Sequence, residues 1–139
     1  MTRLLVDAGP LLAFFSEDDE WHDWARSQIT GTGSPLFTCE SVLSEAAFLI
    51  RRQSGDPEVL VRAVLDGHVR VEFHLAEQTR EIHSLMKRYR DVPISLADAC
   101  LIRMTEIFPD CRLITTDRDF LVYRRFARQV IPLIAPWQD

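Results

Sequence analysis

Short apolar runs that suit buried strands alternate with longer stretches of helical periodicity along the whole chain. This alternation restricts the fold more than any other feature. Arg3 to Asp7, Leu36 to Thr38, the alternating Val69, Val71 and Phe73, Arg112 to Thr116, and Val130 to Ile134 read as strands. Between them lie predicted helices over Leu11 to Phe15, Trp21 to Ile29, Ser41 to Gln53, Leu75 to Tyr89 and from Ser95 to about Phe108, with a short one over Phe120 to Phe126. Gly9-Pro10 reads as a turn, as does Thr30-Gly31-Thr32-Gly33-Ser34-Pro35, while Asp56-Pro57 has the residue types of a helix N-cap and first helical position. Strands that alternate with helices need crossover connections, which place them side by side and parallel. The expected class is therefore α/β with a mostly parallel sheet, built as a single domain over residues 1–139.

A parallel sheet of this kind gathers its chemistry beyond the carboxyl ends of the strands. Asp7 ends the run Leu4-Leu5-Val6, and Asp117 follows Leu113-Ile114-Thr115-Thr116. Glu45 and Asp98 interrupt otherwise apolar helical patterns, Glu45 beside Ala46 and Ala47 and Asp98 between Ala97 and Ala99. Unpaired carboxylates are costly in such settings, and Arg118 is the only basic residue close to any of them in sequence. Convergence of these acids without cationic partners would make a divalent-metal site and metal-assisted hydrolysis. Each acid also has a plainer explanation. Asp7 could cap the next helix, and Glu45 could lie on an exposed helix face. Ser95-Leu96-Ala97-Asp98 has the form of a capping box. Of Asp117 and Asp119, Asp119 is the expected cap of the short helix and Asp117 the expected ligand.

Other residue types narrow the chemistry. Cys39, Cys100 and Cys111 have no metal-ligand spacing, and His22, His68, His74 and His83 form no HxH or HxxxH pair. Oxygen donors therefore point to Mg2+ or Mn2+ rather than Zn2+. The formal net charge of -5 argues against nucleic-acid binding through bulk charge. Even so, all basic residues except Lys87 are arginine, the better fork for phosphate, and Arg51-Arg52, Arg88 with Arg90, and Arg124-Arg125 with Arg128 form local clusters. No apolar run approaches the ~20 residues of a membrane span, and the opening run is too short for a signal peptide, so the expected location is the cytoplasm. Trp21, Trp24 and Phe48 are expected in the core, with an interface as the alternative.

Four segments, taken in order, resemble the PIN-domain ribonucleases, and most closely the VapC-type toxins of bacterial toxin–antitoxin pairs. They are Leu5-Val6-Asp7-Ala8-Gly9-Pro10-Leu11, Val42-Leu43-Ser44-Glu45-Ala46-Ala47-Phe48-Leu49, Leu96-Ala97-Asp98-Ala99, and Ile114-Thr115-Thr116-Asp117-Arg118-Asp119-Phe120. One departure is Gly9-Pro10, where many relatives carry a polar residue such as Asn or Ser. The resemblance implies a three-layer α/β/α sandwich and a Mg2+- or Mn2+-dependent endoribonuclease that uses Asp7, Glu45, Asp98 and Asp117, with Asp7, Asp98 and Asp117 as the expected metal ligands and Glu45 either a further ligand or the residue that positions the attacking water. Thr115 would be a supporting hydroxyl, Asp119 an outer acid, and Arg118 a contact to flanking RNA phosphates. The resemblance also implies a homodimer held inactive by a cognate antitoxin. The competing readings are a PIN-like module that binds RNA or protein without cutting, a housekeeping RNA-processing nuclease, and a DNA-directed nuclease of related fold. Phosphoacceptor folds fit poorly: Lys87 lies in a predicted helix far from the last strands, and Gly9 occupies the place where a second Asp would be needed.

Overall fold

A computed structural model describes residues 1–138 of the chain. Five parallel strands form the central sheet: β1 (Arg3–Val6), β2 (Leu36–Thr38), β3 (Val69–Val71), β4 (Cys111–Ile114) and β7 (Leu133–Ile134), in the order β3-β2-β1-β4-β7. Two further short strands, β5 (Arg124–Arg125) and β6 (Gln129–Val130), pair antiparallel as a separate ribbon. Among the described residues six α-helices accompany the strands: α1 (Ala8–Phe15), α2 (His22–Thr30), α3 (Glu40–Arg52), α4 (Glu58–Leu65), α5 (Thr79–Arg88) and α6 (Leu96–Ile107). The expected sheet flanked by helices is therefore present.

The central strands explain the continuous apolar runs. Leu5 and Val6 of β1 and Leu113 and Ile114 of β4 are fully buried, as in strands covered on both faces. Each such side chain contributes about 1.5–3 kcal/mol of burial. On α3 the buried positions Val42, Ala46 and Ile50 recur every fourth residue, which turns a single stripe inward. In α6, every residue from Ala97 to Ile102 is buried, as are Met104 and Thr105. α1 packs on α2 and α3, and α6 packs on α5 and α3.

The order β3-β2-β1-β4-β7 contains one topological switch. The chain runs outward from β1 through β2 to β3, then returns to lay β4 on the other side of β1. The crevice beyond the carboxyl ends of β1 and β4 is where such sheets bind ligands.

Several sequence expectations fail locally. Gly9 and Pro10 do not form a turn but lie in the first turn of α1, which Asp7 caps through its side chain. Proline is tolerated there because the first helical N–H groups lack intrahelical partners anyway. Gly9 matters for a different reason: a Cβ at this position would collide with the Thr116 hydroxyl, so the start of α1 lies close against the segment that follows β4.

The predicted helix from Leu75 to Tyr89 divides into a 3-10 turn at Leu75–Glu77 and α5. No helix spans Phe120 to Phe126; a 3-10 turn covers Arg118–Leu121, and β5 follows. The predicted last strand, Val130 to Ile134, is divided between the ribbon and β7. The ribbon was hidden because its turn uses Phe126 and Ala127 at φ 50 and 66 rather than glycine or asparagine. Glu106 accepts from the Phe126 N–H at 2.8 Å, and Arg125 donates to the carbonyls of Thr105 and Pro109, so α6 holds this strained turn in place.

Phe48 also departs from expectation. It is 62% exposed on α3, whereas Trp24 packs against the core as expected. The three cysteines are buried and free. Among the described residues, no helix is long and apolar enough to cross a membrane.

Candidate metal centre

Three elements deliver one carboxylate each to the switch-point crevice. Asp7 is the first residue beyond β1, Asp117 lies three residues beyond β4, and Asp98 sits in the first turn of α6. One oxygen from each of Asp7, Asp98 and Asp117 lies within 4.8 Å of the others. Asp7 and Asp98 are buried and Asp117 is half-buried. Glu45 stays outside this tight trio. It is exposed on α3, yet its charge is felt at both Asp7 and Asp98.

Each carboxylate is held by named donors. Asp7 Oδ1 accepts from the Ala8 N–H at 2.8 Å, and its Oδ2 accepts from the Thr115 hydroxyl at 2.8 Å. Thr115, itself fully buried, in turn accepts from the Asp117 N–H at 3.0 Å, so one hydroxyl ties the ends of β1 and β4 together. Asp117 Oδ1 accepts from the Asp119 N–H at 2.9 Å. Asp117 is thus the cap of the 3-10 turn, and the expectation that Asp119 would be that cap is corrected. The two roles separated in the sequence fall on one side chain, because the turn begins right after Asp117 and not at Phe120. Asp98 forms half of a capping box: Ser95 Oγ accepts from the Asp98 N–H at 3.0 Å. Its carboxylate instead accepts from the Tyr123 hydroxyl at 3.0 Å.

The electrostatics favour a cation. Among the described residues, no arginine, lysine or histidine nitrogen comes within 4.0 Å of Asp7, Glu45, Asp98 or Asp117. Burial lifts Asp7 from 3.8 to about 7, opposed by the Thr115 hydrogen bond and reinforced by the charge of Asp98. Burial likewise lifts Asp98 to about 6, opposed by the Tyr123 hydrogen bond and reinforced by Asp117 and Glu45. Glu45 is raised by partial burial and then by Asp117, and Asp119 by the same two causes. Two unit charges about 4 Å apart repel by about 4 kcal/mol at an effective dielectric of about 20. A hard divalent cation would relieve that repulsion, and an all-oxygen donor set suits Mg2+ or Mn2+. The donors present fit such an ion.

Arg118, next to Asp117, turns toward Trp137. Its guanidinium lies 4.8 Å from that ring's centroid, and the Trp137 indole N–H donates to the Thr116 carbonyl at 3.1 Å. A cavity of about 690 Å³ lies elsewhere, between α1, α4 and β3, and carries none of the four acids. It does not bear on the chemistry, since cutting a polymer requires an open rim rather than an enclosed hole. Sequence reading missed Tyr123 and Trp137. Tyr123 reaches an acid 25 positions away, a distance at which no local pattern can signal a partner.

A family model described as PIN domain matches residues 4–126. Among solved structures, that of Mycobacterium tuberculosis VapC20, a sarcin–ricin loop cleaving toxin, aligns with a TM-score of 0.76 at 23% sequence identity. The alignment covers 93% of this chain and 99% of that one. At this level of identity the likeness speaks to fold. No curated protein sequence matches.

Proposed function

The chain belongs to the PIN domain family, and on that premise we propose that it is a divalent-metal-dependent endoribonuclease, using Mg2+ or Mn2+, and the toxin of a toxin–antitoxin pair. The observation that carries this reading is the convergence of Asp7, Asp98 and Asp117 oxygens within 4.8 Å without a basic neighbour. A binding module has no reason to keep such an uncompensated pocket.

In the proposed mechanism Asp7, Asp98 and Asp117 are the residues that would hold the cation. When bound, it supplies positive charge against the charge that builds on the scissile phosphate and makes nearby water more acidic. Thr115 and the Ala8 N–H keep Asp7 in place before substrate arrives, so that little reorganisation accompanies reaction. Glu45 stands exposed at the rim, where a carboxylate is placed to act as general base. It accepts the proton of the attacking water as the water oxygen bonds to phosphorus, the P–O bond to the leaving oxygen breaks, and that oxygen takes a proton from solvent. Asp119 acts from outside the trio, and Arg118, exposed beside Asp117, contacts a flanking phosphate.

VapC20 cleaves the sarcin–ricin loop, which makes a structured RNA hairpin the first substrate to test for this chain. The cognate antitoxin and a second copy of the chain are the proposed protein partners, and the cytoplasm the proposed location. Phe48, Val61 and Leu65 on α3 and α4 are 62%, 70% and 84% exposed, apolar surface that a protein partner would cover. The test is incubation of the purified chain with sarcin–ricin-loop RNA and with transfer RNA. Discrete fragments are expected with Mg2+ or Mn2+ and none in EDTA. Equal cleavage in EDTA would refute the metal-dependent reading. Growth arrest on expression of the chain alone, absent for its Asp98→Asn variant, would separate a toxin from a housekeeping nuclease.

A further inference from the structure

We propose that Tyr123 is a positioning residue for the metal centre: its hydroxyl fixes the Asp98 carboxylate so that one oxygen is held by the protein and the other is left for a cation. The inference rests on the metal-binding reading above and deepens it.

Tyr123 is fully buried, and its hydroxyl donates to Asp98 Oδ2 at 3.0 Å. A buried phenol needs a partner for its O–H, and this one spends it on a candidate ligand rather than on a backbone carbonyl. The ring is locked on two sides by edge-on aromatic contacts, with centroids 5.1 Å from Tyr89 and 5.2 Å from Phe120. The phenol is therefore aimed by packing before any metal arrives.

The position in the chain matters as much as the bond. Asp117 starts the 3-10 turn and Tyr123 follows its end, with the Tyr123 N–H donating to the Asp119 carbonyl at 3.2 Å. One short segment therefore supplies a ligand from the end of β4 and clamps a second ligand on α6. Thr115 performs the matching service for Asp7. Groups that orient metal ligands from behind typically contribute about 10–100-fold to metal affinity.

The test is Mn2+ titration followed by electron paramagnetic resonance on three proteins: wild type, Tyr123→Phe and Tyr89→Phe. Tyr123→Phe keeps the ring and removes the oxygen; Tyr89→Phe removes a hydroxyl from the same aromatic cluster without touching a ligand. Circular dichroism melts in EDTA report on folding. The expected result is a loss of about 10–100-fold in Mn2+ affinity for Tyr123→Phe, with a native spectrum and wild-type affinity for Tyr89→Phe. Unchanged Mn2+ affinity in Tyr123→Phe would overturn the proposal, as would an equal loss in Tyr89→Phe or failure of Tyr123→Phe to fold. Absence of Mn2+ binding by the wild type would remove the metal reading itself, and this inference with it.

Discussion

Replacing Asp7 by Asn should abolish RNA cleavage and, in the metal-free protein at pH 8, raise the melting temperature. The two effects share one cause. Asp7 is 5% exposed, and burial lifts its carboxyl from 3.8 to about 7. Between those values the folded protein holds a proton that the unfolded chain has released. Stability of the metal-free fold therefore falls as pH rises through that window, and the full penalty is present above it. At 1.36 kcal/mol per tenfold change, the difference amounts to about 4 kcal/mol, on the order of 10 °C in a domain of this size.

Asparagine caps a helix about as well as aspartate, so it can still accept from the Ala8 N–H without bringing a charge. The catalytic loss should be at least about 10²–10³-fold, the scale for removing one preorganised group that stabilises charge at a reacting centre. Thermal melts in EDTA at pH 5 and pH 8, paired with a cleavage assay, check both effects. A drop of many degrees at pH 8 would make Asp7 a structural residue and nothing more.

The second large effect concerns pH and metal together. A cation must displace the protons that Asp7 and Asp98 hold below about 7 and about 6. Metal binding therefore releases protons, and affinity rises with pH through that window. Going from pH 8 to pH 5.5 should weaken Mg2+ or Mn2+ about a hundredfold, from the two protonations together. A metal concentration 100 times the dissociation constant at pH 8 stabilises the fold by about 2.7 kcal/mol there. The same concentration gives roughly 0.4 kcal/mol at pH 5.5, where it only about equals the dissociation constant. Melts with and without metal at the two pH values measure the contrast. Equal stabilisation at both would mean that the cation binds elsewhere.

These effects could be anticipated because the acids announced themselves locally. Asp7 and Asp117 follow strands whose burial makes the chain continuously apolar, so their positions at strand ends were readable. Asp98 stood out as a charge between alanines on a helix that is buried nearly all round. Glu45 was readable as a candidate, but its reach was not: whether a rim carboxylate enters the trio depends on how α3 is placed, which no local pattern encodes.

The region after Asp117 was the least legible. Its hairpin turn uses Phe126 and Ala127 at positive φ, conformations that glycine and asparagine normally mark. The turn persists because groups distant in sequence hold it: the Glu106 carboxylate takes the Phe126 N–H, and the carbonyls of Thr105 and Pro109 take the guanidinium of Arg125. Tyr123 lies in that same misread stretch, which is why its bond to Asp98 could not be foreseen. Gly9 is a further case. Its place was misread as a turn, whereas it lies in the first turn of α1 against the Thr116 hydroxyl, a packing relation that only the fold reveals.

The central claim is that carboxylates from three separate elements share one cation. Mn2+ titration of Asp7→Asn, Asp98→Asn, Asp117→Asn and Glu45→Gln at pH 8 addresses it most directly. Each of the three Asp variants should bind Mn2+ at least about tenfold more weakly than the wild type, while Glu45→Gln retains most of the affinity. Wild-type affinity in all three Asp variants would contradict the account.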